Sequence, residues 1–443
     1  MPPTDEGNLA PEAGSRRLRL SAVTALFYPA FVYATAFDAY DLGPIPVVWF
    51  VRLATLIALV VVGITCRLPR LPGSSTFVWM LLVGGMTTAV HVLKNPEYAQ
   101  LLPSLGTTNY FLFVALRLVA ILAFLATALL VFWLLKTGYF AFIVRATTLV
   151  GTIVALTALY IYFAQLNALP ELPRTRMGTS GAEQPTRFTY DFHRATGSFR
   201  EPAYLAEWLV LPFMLSLTYP GKRPINFHSA TIGTVLLLTG SLTGIVGSLA
   251  GFAVALVLTR ASLRSRIQLF FAFIGILVVA WLAFTGVARS YEGPRPSVIR
   301  VITERLKPVL ISGLGASNRA YVYNYVRNAP LPFWGVGYGN ANLLLTNELG
   351  SDATSSFLSL YLYTLYSTGL IGLGLMLWAL LLPVGMVLRC RRRRSPELLL
   401  AVAAYFAWLV MFAVGSEELH LLFGVTYALV VFQLQNDTSD SSL

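Results

Sequence analysis

Arg194 and Arg200 stand six residues apart in the run Arg194-Ala195-Thr196-Gly197-Ser198-Phe199-Arg200-Glu201-Pro202. Proline suits the first turn of a helix, and the free backbone amides at such a terminus face anions. Guanidinium groups grip phosphate oxygens in a forked, two-point manner. The two arginines therefore form a candidate diphosphate clamp; ion pairing with Asp191, Glu201 or Glu207 is the other use of the same charges. A second stretch runs from Arg319-Ala320-Tyr321 to Pro332-Phe333-Trp334-Gly335-Val336-Gly337-Tyr338-Gly339-Asn340. Here an arginine lies one helix away from a flexible glycine-rich turn. Its aromatic and amide side chains, Tyr321, Tyr338 and Asn340, suit sugar rings, while arginine suits phosphate.

The elements that must hold these residues are membrane helices. The chain is 56% hydrophobic and 12% charged, with a mean hydropathy of +0.68. Apolar runs of about 17–25 residues recur, each long enough to cross a ~30 Å hydrocarbon layer as a helix. Closed hydrogen bonding is required there, and no alternating ten-residue pattern suggests a barrel. Twelve spans are predicted, at 20–38, 46–65, 76–93, 109–135, 139–166, 203–219, 226–240, 243–259, 267–286, 355–388, 399–415 and 418–434. The fold class is thus an all-α integral membrane protein with two long extracytoplasmic loops.

Basic residues set the orientation. Arg16, Arg17 and Arg19, then Arg67 and Arg70, Lys136, Lys222 and Arg223, Arg260, Arg264 and Arg266, and Arg389 with Arg391 to Arg394 all fall at alternate connections. Both chain ends then lie in the cytoplasm, and the two long loops lie outside. Twelve of the 32 basic residues sit in those loops, on the side that topology leaves poor in positive charge, which points to an anionic substrate. The organisation reads as a disordered cytoplasmic tail at 1–15, helices at 16–166, an outer loop at 167–200, helices at 201–286, a large outer loop at 287–352, helices at 353–435 and a tail at 436–443. Within the large loop, apolar residues at helical spacing from Val298 to Leu310 predict an amphipathic helix, and 318–328 a second one. The small residues of the Gly240–Gly247 cluster either let helices approach closely or interrupt one beside a cavity. Cys66 and Cys390 fall at predicted cytoplasmic helix ends, where free thiols are expected.

Arg117 lies one-third of the way into the fourth span. Arginine facing lipid near a helix centre costs about 2.5–3.5 kcal/mol on insertion scales, so Arg117 is expected to face a polar cavity, such as a lipid-phosphate path. Arg52 and Arg145 can snorkel to an interface and receive no role. No metal-ligand cluster is read; the four histidines are His91, His193, His228 and His420.

The order of these motifs resembles that of the O-antigen ligase and O-antigen polymerase superfamily of bacterial envelope glycosyltransferases. The resemblance covers about residues 185–385. It rests on the Arg194 to Pro202 pattern, Leu238-Thr239-Gly240-Ser241 through Gly247, the Arg319 to Gly339 pattern, and the span that begins Ser355-Ser356-Phe357-Leu358 and continues to Gly369-Leu370-Ile371-Gly372. It implies a twelve-helix enzyme of the bacterial cytoplasmic membrane, working on its outer face with no metal and no cofactor. An acceptor hydroxyl would attack the anomeric carbon of an undecaprenyl-diphosphate-linked glycan with inversion, the acceptor being a glycan or a lipid-linked glycan. Arg194 and Arg319 correspond to the family's arginines, and Arg200 and Arg289 are further candidates for the diphosphate. A chain-length regulator is a further partner of this reading; nucleic acid is not.

The ligases resembled carry a histidine where this chain has Ser355 and Ser356, so a repeat-unit polymerase is preferred to a ligase. Candidate bases are Asp352, His193 and Glu348. Two further readings stay open. Asp38 and Asp41, in the first outer connection, would suit a polyprenyl-phosphate-sugar transferase, and a lipid-linked glycan transporter is the third.

Overall fold

The computed structural model describes residues 10–43, 45–102, 109–167, 169–171, 174–175, 194–218, 224–258, scattered positions within 264–275, and 320–351, 354–389 and 395–439. It is about 77% helical with almost no strand. Helices occupy the first eight and the last three of the apolar segments predicted above. They are α1 (Ala10–Ala34), α2 (Val47–Thr65), α3 (Ser74–Lys94), α4 (Tyr110–Lys136), α5 (Phe140–Leu166), α6 (Pro202–Ser216), α7 (Phe227–Leu238) and α8 (Leu242–Leu258), then, from the other end of the chain, α11 (Leu360–Arg389), α12 (Pro396–Val414) and α13 (Leu421–Ser439). Before α11 come two short helices, α9 (Ala320–Asn328) and α10 (Asn340–Leu349). Among the described residues, six helices are long and apolar enough to cross a membrane: α2, α3, α4, α5, α11 and α12.

Two features differ from expectation. Helix α1 starts at Ala10, inside the stretch expected as a disordered tail, as Ala10-Pro11-Glu12-Ala13 allows: proline is tolerated in the first turn, and alanine and glutamate favour helix. Helix α10 was not foreseen; it follows the glycine-rich run directly and stops at Gly350, whose φ of 58° provides a left-handed cap. The predicted amphipathic helix around 298–310, Cys390, and the second half of the predicted ninth span lie outside the described residues.

Helix α11 is two helices joined at Gly369 (φ 71°, ψ −172°). A left-handed φ with extended ψ is available to glycine and strained for other residues. The break frees carbonyls that the glycine-rich run satisfies: Val336 N–H donates to Tyr366 O (2.9 Å) and Gly337 N–H to Ser367 O (2.8 Å), while Leu370 N–H donates back to Pro332 O (3.2 Å). The run read as a flexible turn is therefore stitched into the bundle; Tyr338 is 1% exposed, and its N–H donates to the Thr88 hydroxyl of α3 (2.7 Å).

The remaining helices pack pairwise, α12 along α8, α13 along α4, α11 along α3, and α6 between α5 and α7. At the α8–α12 seam a Cβ on Gly251 would collide with the Ala403 carbonyl and the Ala407 backbone. Close backbone approach through small residues is the usual means of joining helices when lipid is as apolar as the side chains. Aromatic rings fill the centre: Phe124 and Tyr405 each stack on Phe423, and the Tyr427 hydroxyl donates to the Pro72 carbonyl (2.9 Å).

Candidate functional site

At one end of the bundle lies a cavity of about 460 Å³. Its walls come from the C-terminal end of α1 with the residues after it (Thr35, Asp38), the N-terminal parts of α2 (Trp49, Arg52), α4 (Arg117) and α6 (Tyr204, Trp208), and the approach to α6 (Arg200). Thr354 and Ser356 before α11, and the segment 415–420 between α12 and α13, complete it. The helix ends that meet here are those that the basic-residue pattern places together on one side.

The segment leading into α6 is sewn to the end of α1. Ala39 N–H donates to Ser198 O (3.1 Å), and the Ser198 hydroxyl donates to Ala36 O (2.6 Å). This places Arg200, whose Nε donates to Asp38 Oδ2 (2.8 Å) and whose guanidinium lies 5.3 Å from the Tyr204 ring centre. Burial alone would lower the pKa of Arg200, but Asp38 outweighs it and raises it above the usual value.

On the facing wall, charges form a chain. Glu418 accepts from Arg52 through one oxygen (2.6 Å) and from Arg117 through the other (2.7 Å). Glu417 accepts from Arg117 (3.1 Å), from the Asn342 amide (3.0 Å), from the Ser356 hydroxyl (2.9 Å) and from Phe357 N–H (3.0 Å). Arg117, reached about two turns into α4, thus meets two carboxylates instead of lipid, as buried charge requires. Burial pushes Glu418 upward, yet Arg52 and Arg117 together hold its carboxyl well below the usual range, so it is ionised at neutral pH.

His420 lies beside them, its Nε2 sharing a hydrogen bond with the Ser416 hydroxyl (2.8 Å) and standing 3.6 Å from Oε2 of the fully buried Glu207. Burial lowers its pKa to about 4 against the opposing pull of Glu418, so the imidazole is neutral. Ser416 and Glu207 approach the same ring nitrogen. A nucleophilic triad needs them on opposite nitrogens, so this is not one.

The sequence-predicted residues divide into three groups. Arg200 and Arg117 line the cavity. Arg194 does not: it is 5% exposed, and its Nε donates to the Thr239 carbonyl at the end of α7 (2.5 Å) while Ala195 N–H donates to Leu238 O (3.0 Å). It ties the outer segment to α7. Tyr321 donates to Ser356 O (3.1 Å), and Asn340 accepts from Tyr110 (2.5 Å) and donates to Val336 O (2.8 Å), both as parts of the framework. Tyr338 is buried at Gly84 of α3 and lines a small pocket of about 20 Å³ that Arg117 also lines. His193, Arg319, Asp352 and Arg289 lie outside the described residues.

Sequence reasoning missed Glu417, Glu418 and the role of Arg52. Arg52 was expected to snorkel; it is buried, 4.2 Å from the Trp49 ring centre and bonded to Glu418. The signal was available: two adjacent acids, Glu417 and Glu418, where the last two apolar segments meet, on the same side as two arginines inside spans, are natural partners. Among the described residues no group of three or more His, Cys, Asp or Glu could hold a metal ion. No protein-family model, curated protein or solved structure matches the chain.

Proposed function

We propose that this chain is a membrane glycosyltransferase that polymerises oligosaccharide units carried on a polyprenyl diphosphate, with the cavity as its reaction chamber. The observation that carries this reading is the pairing of Ser356 with Glu417. The ligases that the sequence resembles place their base at the Ser355–Ser356 position. Here the Ser356 hydroxyl is bonded to a carboxylate that lines the same cavity as three arginines.

In this mechanism an acceptor hydroxyl enters beside Glu417 and gives up its proton to the carboxylate. The hydroxyl oxygen forms a bond to the anomeric carbon from the face opposite the diphosphate. The bond from that carbon to the phosphate oxygen breaks, and its electron pair leaves with the diphosphate. Arg117 and Arg200 stabilise the charge that develops there, the largest contribution a preorganised site makes to such a step. The outer face is the working side on this reading, because Arg67, Lys136 and Arg389 follow or end α2, α4 and α11 at the ends away from the cavity.

A second reading has an observation of its own. Asp38 lines the same cavity and is bonded to Arg200, so a polyprenyl-phosphate-sugar transferase with Asp38 as its acid–base group would use the same chamber. Glycan analysis of a deletion strain carrying wild type, Glu417→Gln or Asp38→Asn tests both. Single repeats left on the acceptor support the polymerase, and long lipid-linked polymer that never transfers supports a ligase. Missing sugars within the repeat support the second reading. Unchanged glycans in the deletion strain would overturn all of them.

A further inference from the structure

We infer that Arg52 and Arg117 are the two jaws of a diphosphate site and that Glu418 is an internal anion which a substrate phosphate displaces. The inference rests on the glycosyltransferase reading and assigns the site that reading needs. One carboxylate bridges two guanidiniums that come from different helices, α2 and α4, with one oxygen on each at 2.6 and 2.7 Å. A phosphate group offers the same two-oxygen face to two forked donors, with an extra charge and an extra oxygen.

Both jaws are held by contacts other than Glu418. The Arg52 guanidinium lies on Trp49 at 4.2 Å, and Arg117 lies 5.2 Å from the Phe113 ring centre and is bonded to Glu417. Removing Glu418 from between them would therefore leave two aligned donors. Arg52 also has donor capacity to spare: its Nε is buried and meets no acceptor among the described residues. Glu418, in contrast, sits in the short segment 415–420 between two helices and is the most exposed member of the chain of charges, at 28% against 9% for Arg52. It is the member placed to swing away.

Exchange of this kind makes binding a competition between a tethered carboxylate and an incoming diphosphate. Removing the tethered charge must then strengthen diphosphate binding, the opposite of what loss of a structural ion pair would do. The test is titration of the full-length protein in detergent with inorganic pyrophosphate, a short-chain polyprenyl diphosphate and the corresponding polyprenyl alcohol. The isosteric Glu418→Gln should bind both diphosphates roughly tenfold more tightly. Arg52→Gln should bind them more weakly by a similar factor, and neither variant should change alcohol binding.

Unchanged or weaker diphosphate binding by Glu418→Gln would overturn the exchange, as would an equal gain for the alcohol. If Glu418→Gln does not fold, Arg52→Gln decides: unchanged affinity overturns the site. Wild type that binds the lipid diphosphate without any gain in Glu418→Gln removes the inference and leaves the glycosyltransferase reading standing. Wild type that binds neither diphosphate removes both.

Discussion

The Ser356 hydroxyl donates to Oε2 of Glu417 across 2.9 Å, and the Phe357 N–H donates to the same oxygen at 3.0 Å. The start of the α11 segment is thus fastened to the connection between α12 and α13, and the carboxylate is oriented from one side. Glu417→Gln keeps the shape and removes the proton acceptor. Product formation is expected to fall about 100-fold or more, the scale of general-base contributions, with normal membrane insertion. Ser356→Ala removes one hydrogen bond, worth about 1 kcal/mol, and should cost only several-fold. Quantifying long-chain glycan from membranes with equal protein levels checks both.

Asp38 and Arg200 should behave as a coupled pair. Asp38→Asn, Arg200→Gln and the double variant form a thermodynamic cycle. The contact is partly exposed, so a coupling of no more than about 1 kcal/mol is expected, read as a double variant less impaired than the two single losses combined. Full additivity in the glycan assay would show that the contact does no work in the reaction.

Arg194 should act on folding. Its Nε satisfies the Thr239 carbonyl in a buried setting, and orphaning a buried acceptor costs about 1–3 kcal/mol. Arg194→Ala is expected to reduce the midpoint of thermal unfolding in detergent and the yield of inserted protein. Activity per folded molecule should be retained. A fully stable but inactive Arg194→Ala would return this residue to the diphosphate.

Gly251→Val should loosen the α8–α12 seam, because its side chain has no room against the Ala403 carbonyl. Overpacking of this kind costs about 1–3 kcal/mol. Size-exclusion chromatography after stepwise heating would show earlier aggregation than wild type. An added side chain should be tolerated at open positions such as Gly374, where a Cβ meets nothing within 4 Å.

The pH dependence follows from His420, which faces Glu207, Glu418, Arg52, Asp38 and Arg200. Its pKa falls from 6.5 to about 4 in the fold, burial being the main cause. Above pH 6.5 the residue is neutral in both folded and unfolded chains and contributes no slope. As pH falls from 6.5 towards 4 the unfolded chain takes up a proton that the fold refuses, so stability declines in that window. Glu418, held low by its arginines, adds a loss in the same direction at lower pH, below about 4.5. Thermal melts at pH 7, 6 and 5 should show a shallower decline for His420→Gln than for wild type.

The helices were largely legible, because a run of apolar residues long enough for the bilayer has few alternatives to helix. The cavity was legible in part. Arg117 inside a span demands polar company, and that demand could be read from position alone. Its partners could not, because Glu417 and Glu418 stand 300 and 301 residues away, and hydropathy carries no information on which helix ends meet. The glycine-rich run was misjudged as flexible for a related reason. Its glycines are required by the broken helix at Gly369, a tertiary neighbour invisible to local spacing. Arg194 and Arg200 look alike in sequence, and only the fold separates the one that faces α7 from the one that faces the cavity.

The cavity wall carries Arg52, Arg117 and Arg200 against Asp38, Glu417 and Glu418, with His420 neutral. Those formal charges cancel, so the chamber projects little long-range attraction for stray inorganic anions in the surrounding medium. Selectivity would then come from what else a ligand brings. A molecule anchored by its hydrocarbon tail and steadied by sugar contacts prises the internal pairs apart at a lower concentration than a small ion, which has the charge alone to do so.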